Sequence, residues 1–166
     1  MDLQAPQPLA AHHSTVGFDC GDSSLDHWLQ QCALSNQQGG ATRSFVVCNG
    51  DDVVKAYVGL APGSVAVASA PGRFRRNMPD PIPVVVLARL AVCRIVQGQG
   101  IARALLADAF ERVLQASTQI GVRGIVVHAA SSEARSFYLQ MGFDPSPIDP
   151  DTLLIRLSDV AATLPF

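Results

Sequence analysis

The sequence predicts a mixed α/β fold, in which the strands of a sheet are joined by one hairpin and one helical crossover. Two β-rich segments, 44–48 and 53–60, flank an Asn-Gly-Asp-Asp turn, a pattern typical of a β-hairpin. Two nearly continuous apolar segments, 83–92 and 124–129, are typical of strands buried on both faces. An amphipathic helix lies between these two segments, and this strand–helix–strand order predicts a parallel crossover.

The first helix is predicted over Asp22–Gln38, because apolar residues recur there at the i, i+3, i+4, i+7 and i+8 spacing of one buried face. Asp22 or one of the two serines after it can cap the start, and Gly39-Gly40 ends the helix. We expect residues 1–15 to form a loose start. The predicted buried face consists of Leu25, Trp28, Leu29, Cys32 and Ala33.

The remaining elements follow from composition and periodicity. Residues 61–81 are rich in proline, glycine and small side chains, which predicts a long loop with room for a short helix. The crossover helix carries an apolar stripe from Ala102 to Leu114, and Gly121 closes it. A short helix over 132–140 and a last strand over 152–157 complete the predicted order.

The composition predicts a single folded domain over residues 1–166. Hydrophobic residues make up 48% of the chain and the mean hydropathy is +0.23, which excludes a disordered chain. The best apolar run is too short to span a membrane, and the first residues do not resemble a signal peptide. We therefore expect a cytoplasmic protein without a membrane partner. No metal site or disulfide is expected, because the four cysteines are far apart and form no Cys-x-x-Cys pair; they are Cys20, Cys32, Cys48 and Cys93.

The net charge of −2 hides a basic middle. Residues 73–135 carry nine basic and four acidic side chains, whereas the segments on either side are net acidic. Eleven of the twelve basic residues are arginine, which binds phosphate and carboxylate groups through two parallel hydrogen bonds. This pattern indicates an anionic ligand, although a solvated surface of mixed charge would show the same composition.

A glycine-rich loop lies between the buried strand and the crossover helix. Residues 97–102 read Gln-Gly-Gln-Gly-Ile-Ala, with Arg94 and Arg103 on either side. Small residues allow the backbone to approach a ligand closely, and the amide groups at a helix N-terminus attract an anion. The spacing matches neither the P-loop nor the dinucleotide-binding fingerprint. It predicts a phosphate-binding loop, and an ordinary strand–helix turn is the alternative.

Together with a later block, this loop resembles the GCN5-related N-acetyltransferases (GNAT). The signature Q/R-x-x-G-x-G/A of that family is met by Gln97, Gly100 and Ala102, and its F-Y-x-x-x-G-F block is met by residues 137–143. The resemblance implies the GNAT fold, which is a mixed, mostly antiparallel central sheet flanked by helices. It also implies that two strands splay apart at an acetyl-CoA site.

Further segments resemble the acetyltransferase toxins of bacterial type II toxin–antitoxin systems, and this likeness runs almost end to end. It is carried by Phe-Asp-Cys-Gly at 18–21, Leu-Asp-His-Trp-Leu at 25–29, Ala-Pro-Gly-Ser at 61–64 and the segment 75–83, and by Phe-Asp-Pro-Ser-Pro at 143–147. Two positions depart from the pattern. Ala88 stands where these toxins often have glycine, and Cys93 stands where they often have aspartate. The sequence does not determine how these two residues affect activity.

The resemblance implies a function and partners. The activity would be transfer of acetyl from acetyl-CoA to the α-amino group of aminoacyl-tRNA, which blocks translation. The expected partners are a neutralising ribbon-helix-helix antitoxin and a second copy of the chain in a homodimer, with DNA reached only through the antitoxin. The alternative is a GNAT enzyme that acetylates a small amine or a protein N-terminus.

Site residues follow from the same resemblance. Tyr138 is the predicted general acid, because a tyrosine can donate a proton to the thiolate that leaves the thioester. No general base is evident, and an α-amine, with its pKa near 8, needs one less than a lysine does. His128 and His27 are expected to be structural or exposed, and a substrate contact by His128 stays open. The predicted acetyl-CoA contacts are Leu90, Ala91, Val92, Gln97, Gly98, Gln99, Gly100, Ile101, Ala102 and Arg103, and the candidate tRNA contacts are Arg73, Arg75, Arg76 and Arg89.

Overall fold

The structure, a computed structural model, describes residues 2–163. Within this range no helix combines the length and apolar character that a membrane-spanning segment requires. The strands are β1 (Gln7–Pro8), β2 (Arg43–Cys48), β3 (Val54–Val65), β4 (Ile82–Val92), β5 (Gly124–His128), β6 (Asp144–Pro145) and β7 (Thr152–Arg156). The helices are α1 (Ser23–Gln31), α2 (Ala33–Gly39), α3 (Gly72–Arg75), α4 (Ile101–Ala116), α5 (Ser132–Gln140) and α6 (Leu157–Thr163).

The chain forms two compact units. Three elements, β3, β4 and α4, cross the boundary, so that each contributes residues to both units. The first unit comprises the described residues up to Ala61 together with Ala88–Ala109. Its strand order is β1-β2-β3-β4, and the β1–β2 and β2–β3 pairs are antiparallel. Tyr57 is fully buried in its core, where Phe18 meets the ring edge-on and Trp28 stacks on it.

The second unit comprises Pro62–Leu87 and the described residues from Phe110 onward. Its strand order is β4-β5-β7-β6. The β4–β5 pair is parallel, as the predicted crossover requires, and the pairs formed by β7 are antiparallel. The register places Val84–Leu87 opposite Gly124–Val127, while β4 itself continues to Val92. Pairing between β4 and β5 therefore stops before β4 ends, which agrees with the two splayed strands of the expected GNAT fold.

Most predicted elements are confirmed within two residues, but the first helix is wrong as a single element. It is divided at Cys32, which has φ −121° and ψ −31°. The carbonyl of Cys32 accepts hydrogen bonds from the Ser35 hydroxyl and from the side-chain amide of Asn36. The backbone N–H of Asn36 donates to the same carbonyl at 3.0 Å, so the two side chains bond back onto the first turn of α2, and no side chain caps its start. The predicted caps are confirmed: Asp22 accepts the amide of Ser24, and Gly40 ends α2 in the left-handed conformation.

The predicted loop over 61–81 is wrong at its start, because β3 continues to Val65. The extension contains Gly63, at which a Cβ would lie 2.6 Å from a methyl group of Val86. Glycine is therefore required there by the close approach of a neighbouring side chain rather than by a turn. The short helix expected in this segment is confirmed as α3. The short strands β1 and β6, the helix α6 and the end of α4 at Ala116 instead of Gly121 were not predicted.

Candidate active site

The loop between β4 and α4 has the exposed, left-handed backbone for which its glycines are suited. Gly98 and Gly100 have φ of +79° and +80°, a region that other residues rarely adopt. A Cβ at either position would meet no other atom within 4 Å, so the space around the loop is open. The first turn of α4 carries no acidic residue to oppose an anion at the helix N-terminus. The loop therefore fits the pyrophosphate group of acetyl-CoA that the sequence resemblance implies.

Gln97 holds this loop in place instead of offering its side chain to a ligand. Its Nε2 donates to the carbonyl oxygens of Val92, at 2.8 Å, and Cys20, at 3.1 Å. A side-chain amide has two hydrogens, so both are engaged. The backbone N–H of Gln97 donates to the carbonyl of Arg94 at 3.3 Å. Its predicted role in cofactor binding is thus reduced to positioning the amides that follow it.

The end of β4 directs alternate backbone groups to opposite sides. The N–H of Cys93 donates to the carbonyl of Lys55 in β3 at 2.8 Å. Because successive residues of a strand alternate, Val92 and Leu90 direct their backbone groups away from β3. The carbonyl of Val92 is already taken by Gln97. Among the predicted residues Leu90, Ala91 and Val92, the geometry therefore favours Leu90 and the Val92 N–H for pairing with a pantetheine arm.

A groove of about 520 Å³ in the first unit is lined by residues of α1, by Cys32 directly after it and by Arg89 of β4. The guanidinium carbon of Arg89 lies 4.0 Å from the centroid of the Trp28 ring, in cation–π geometry. Trp28 stacks on Tyr57, with a centroid distance of 6.0 Å and an interplanar angle of 12°. Arg89 forms no ion pair with a carboxylate of residues 2–163, so its charge remains available in the groove. His27, which is exposed, also lines this groove.

The three arginines around α3 differ in their surroundings. Arg73 donates to Asp144 at 2.8 Å and lies 4.0 Å from Asp159, and this pairing raises the pKa of the guanidinium. Arg75 and Arg76 are exposed, and no hydrogen bond or ion pair joins their side chains to the described part of the chain. Of these three candidates, Arg75 and Arg76 thus retain their full charge for a phosphate, whereas much of the charge of Arg73 is compensated.

Tyr138 is the buried aromatic residue of α5. Its side chain is 5% exposed and makes edge contacts with Phe137 and Phe143, at centroid distances of 5.2 and 5.4 Å. The hydroxyl group has no hydrogen-bond partner among residues 2–163. Its oxygen is nevertheless accessible to solvent, although most of the ring is buried. Burial raises the pKa of Tyr138 well above its ordinary value, so the phenol stays protonated. The ring is thus packed between aromatic neighbours, and its hydroxyl proton is available to an acceptor from outside the described chain.

The predicted residues are divided between the two units. The first unit contains Arg89, the end of β4 and the loop with its following helix turn, including the exposed Arg103. The second unit contains Tyr138 and the three arginines around α3. Sequence reasoning missed Tyr57, whose hydroxyl donates to the carbonyl of Leu25 at 2.7 Å and fixes α1 beside β3. Its only signal was a large aromatic in the middle of a predicted strand.

One cluster of possible metal ligands does not fit a metal ion. Ligand atoms of His12, His13 and Asp52 lie within 4.8 Å of one another. However, Nδ1 of His13 accepts the N–H of Ala10 at 2.9 Å, which places the proton of the neutral ring on Nε2. Burial and the neighbouring His12 lower the pKa of His13 and favour this neutral form. The buried Nε2 is therefore a donor and not a lone pair that a metal could use.

Comparisons with known proteins agree with this geometry. Residues 41–145 match the family described as acetyltransferase (GNAT) domain. The tRNA-acetylating toxin of Mycobacterium tuberculosis (strain ATCC 25618 / H37Rv) is 47% identical over 160 residues, which is 96% of either chain.

Two solved structures share the fold across nearly their whole length. AtaT complexed with acetyl-methionyl-tRNAfMet has a TM-score of 0.89 and 28% identity, covering 97% of this chain and 98% of that one. A tyrosine-to-phenylalanine mutant of the AtaT toxin, bound to the C-terminus of the antitoxin AtaR and acetyl-CoA, has a TM-score of 0.83 and 26% identity, covering 99% of each chain. With its glycine-rich loop, its parallel crossover and these matches, the chain belongs to the GNAT family of acetyltransferases.

Proposed function

We propose that this protein transfers the acetyl group of acetyl-CoA to the α-amino group of aminoacyl-tRNA and thereby blocks translation. The observation that carries the proposal is the 47% identity, over nearly the whole of both chains, with a tRNA-acetylating toxin. The exposed loop with its two glycines supports it, and so do Arg75, Arg76 and Arg89, whose charges no carboxylate of residues 2–163 compensates. Both acetyl-CoA and tRNA carry several negative charges, which such a surface attracts.

The donor is held by backbone groups. The amides of residues 98–102 and the N-terminus of α4 bind the pyrophosphate, and Arg103 adds positive charge. The backbone groups of Leu90 and the N–H of Val92 pair with the pantetheine arm. Gln97 positions the loop through its two carbonyl contacts. Acetyl-CoA supplies a thioester whose carbonyl carbon accepts the amine. A site made of backbone amides holds its shape without side-chain ordering, which favours binding.

Tyr138 is the general acid. The packing of its ring fixes the position of the phenol oxygen, and the hydroxyl donates its proton as negative charge develops on the departing sulfur. Because burial raises the pKa of Tyr138, the phenol is protonated and can serve as a donor when the carbon–sulfur bond breaks.

The acceptor is bound by arginines. Arg75 and Arg76 contact tRNA phosphates, which supplies affinity without sequence choice. Arg89, stacked on Trp28, offers a planar cation beside the segment of β4 that holds the donor. A planar cation of this kind suits the unpaired 3′ end of tRNA, whose bases and phosphates are both open to contact.

The partners follow the same proposal. We propose that residues 1–166 act as one acetyltransferase domain, that two copies form a homodimer, and that a ribbon-helix-helix antitoxin neutralises the activity. Contact with DNA occurs only through that antitoxin. The site of action is the cytoplasm, where charged tRNA is used.

The test uses the purified protein with acetyl-CoA and total charged tRNA. Nuclease digestion followed by mass spectrometry should find N-acetyl-aminoacyl-adenosine, and uncharged tRNA should give no product. Peptides with a free N-terminus and a set of small amines are tested in parallel as alternative acetyl acceptors. Acetylated peptides or amines without any acetylated aminoacyl-adenosine would refute the proposal.

A further inference from the structure

The last residue of β5, His128, is joined to a hydrogen-bonded chain that ends in a carboxylate. Its Nδ1 lies 3.0 Å from the hydroxyl oxygen of Thr152, its antiparallel partner in β7. That hydroxyl donates to Oδ2 of Asp149 at 2.8 Å. The backbone N–H of Asp151 donates to the other oxygen of the same carboxylate at 3.0 Å.

This series of hydrogen bonds from His128 through Thr152 to Asp149 determines which ring nitrogen of His128 carries the proton. The hydrogen bonds from Thr152 and from the Asp151 backbone lower the pKa of Asp149, so its carboxylate is ionised at neutral pH and only accepts hydrogen bonds. Thr152 has one hydroxyl hydrogen, and it is given to Asp149. The hydroxyl must then accept from His128, which places the proton of the neutral ring on Nδ1 and a lone pair on Nε2.

The position of His128 also matters. Pairing between β5 and β4 ends at Leu87 and Val127, and His128 is the next residue of β5. Its side chain is exposed. Helix α5 with Tyr138 begins four residues later and packs against β7, the strand that carries Thr152. His128 and Tyr138 therefore belong to the same compact unit, and they lie on consecutive elements, β5 and α5, that only residues 129–131 separate.

We propose that His128, oriented by Thr152 and Asp149, is the general base that receives the proton of the attacking amine. The inference rests on the proposed function for the identity of the acceptor. The amine nitrogen forms its bond to the acetyl carbonyl carbon and gives one proton to Nε2 of His128. The carbon–sulfur bond breaks, and the sulfur takes the proton of Tyr138. The proton on His128 then leaves to solvent and Tyr138 regains one from solvent, which restores both groups.

The decisive variant is His128→Asn. Asparagine can keep a donor near the position of Nδ1 for Thr152, but it lacks the Nε2 lone pair. We expect kcat to fall by about a hundredfold or more, the usual size of general-base catalysis, with the KM for acetyl-CoA unchanged. In His128→Gly, added imidazole should restore activity in proportion to its concentration. Activity of His128→Asn within a few-fold of the parent protein, or a loss in His128→Gly that imidazole does not relieve, would overturn the proposal.

A second measurement does not depend on activity. Nitrogen-15 spectra of the histidine rings should show the Nδ1–H tautomer of His128 in the parent protein and in Thr152→Ser, which keeps the hydroxyl. Thr152→Val, which preserves the shape of a buried strand residue, should lose this preference. A dominant Nε2–H tautomer in the parent protein would contradict the chain of hydrogen bonds. The proposed function fails separately, if the parent protein makes no acetylated aminoacyl-tRNA.

Discussion

Replacing Gly100 by aspartate tests whether the β4–α4 loop binds the pyrophosphate of acetyl-CoA. The position is exposed, and a Cβ would meet nothing within 4 Å, so a side chain can be accommodated without displacing neighbours. The carboxylate would stand beside the amides proposed to bind the anion. Any loss of affinity must then come from two sources, the positive φ of +80° and the added charge.

The two sources can be separated. Aspartate and asparagine both tolerate the left-handed region better than most residues, and they have nearly the same size. Gly100→Asn therefore carries the backbone cost without the charge. A carboxylate about 5 Å from a phosphate is repelled by about 1 to 3 kcal/mol for effective dielectric constants between about 80 and 20. Because the loop is exposed, we expect the lower part of this range, or about a tenfold weaker affinity for Gly100→Asp than for Gly100→Asn.

Isothermal titration calorimetry with acetyl-CoA measures this difference directly. Gly121→Asp is a second control, since Gly121 is also exposed and without close neighbours but lies outside the loop. It should bind acetyl-CoA as the parent protein does. Equal affinities of folded Gly100→Asp and Gly100→Asn would show that no anion lies near this loop.

Two further predictions concern catalysis and tRNA binding. Tyr138→Phe keeps the packed ring and removes the proton donor, so kcat should fall by about a hundred- to ten-thousandfold while calorimetry shows unchanged acetyl-CoA binding; a fully active variant would refute the role of general acid. Arg75→Ala combined with Arg76→Ala should raise the KM for charged tRNA and make its salt dependence shallower, because fewer counterions are released. Arg73→Ala is the matched control, since its pairing with Asp144 should make its effect on tRNA smaller; an equal or larger effect would contradict that assignment.

Long periodic elements of the fold could be predicted from the sequence, whereas short and exceptional ones could not. Helix α5 and strand β5 have nearly the predicted bounds, because a capping serine and a continuous apolar run are strong local signals. The division of the first helix at Cys32 leaves the apolar spacing intact, so periodicity could not reveal it. The continuation of β3 through Gly63 brings its backbone close to Val86, a residue distant in sequence, and local composition could not reveal that approach.

The candidate site shows the same difference. The residue types at 98 and 100 indicate a loop whose backbone a ligand can approach closely, and in the structure both glycines have positive φ in an exposed loop. The two carbonyl contacts of Gln97 join segments far apart along the chain, so its tethering role could not be predicted. The hydrogen bonds that join His128, Thr152 and Asp149 depend on the register between β5 and β7, which residue types do not determine.

The measurement that most directly tests the central claim is the use of treated tRNA in peptide-bond formation. Aminoacyl-tRNA is incubated with the protein and acetyl-CoA, freed of protein, and offered to ribosomes as the acceptor of a growing peptide. Acetylation of the α-amine removes the nucleophile, so the treated tRNA should accept no peptide, whereas tRNA treated without acetyl-CoA or with Tyr138→Phe should accept it normally. Full acceptor activity of tRNA treated with the active protein and acetyl-CoA would contradict the claim that the α-amine of aminoacyl-tRNA is the acetyl acceptor.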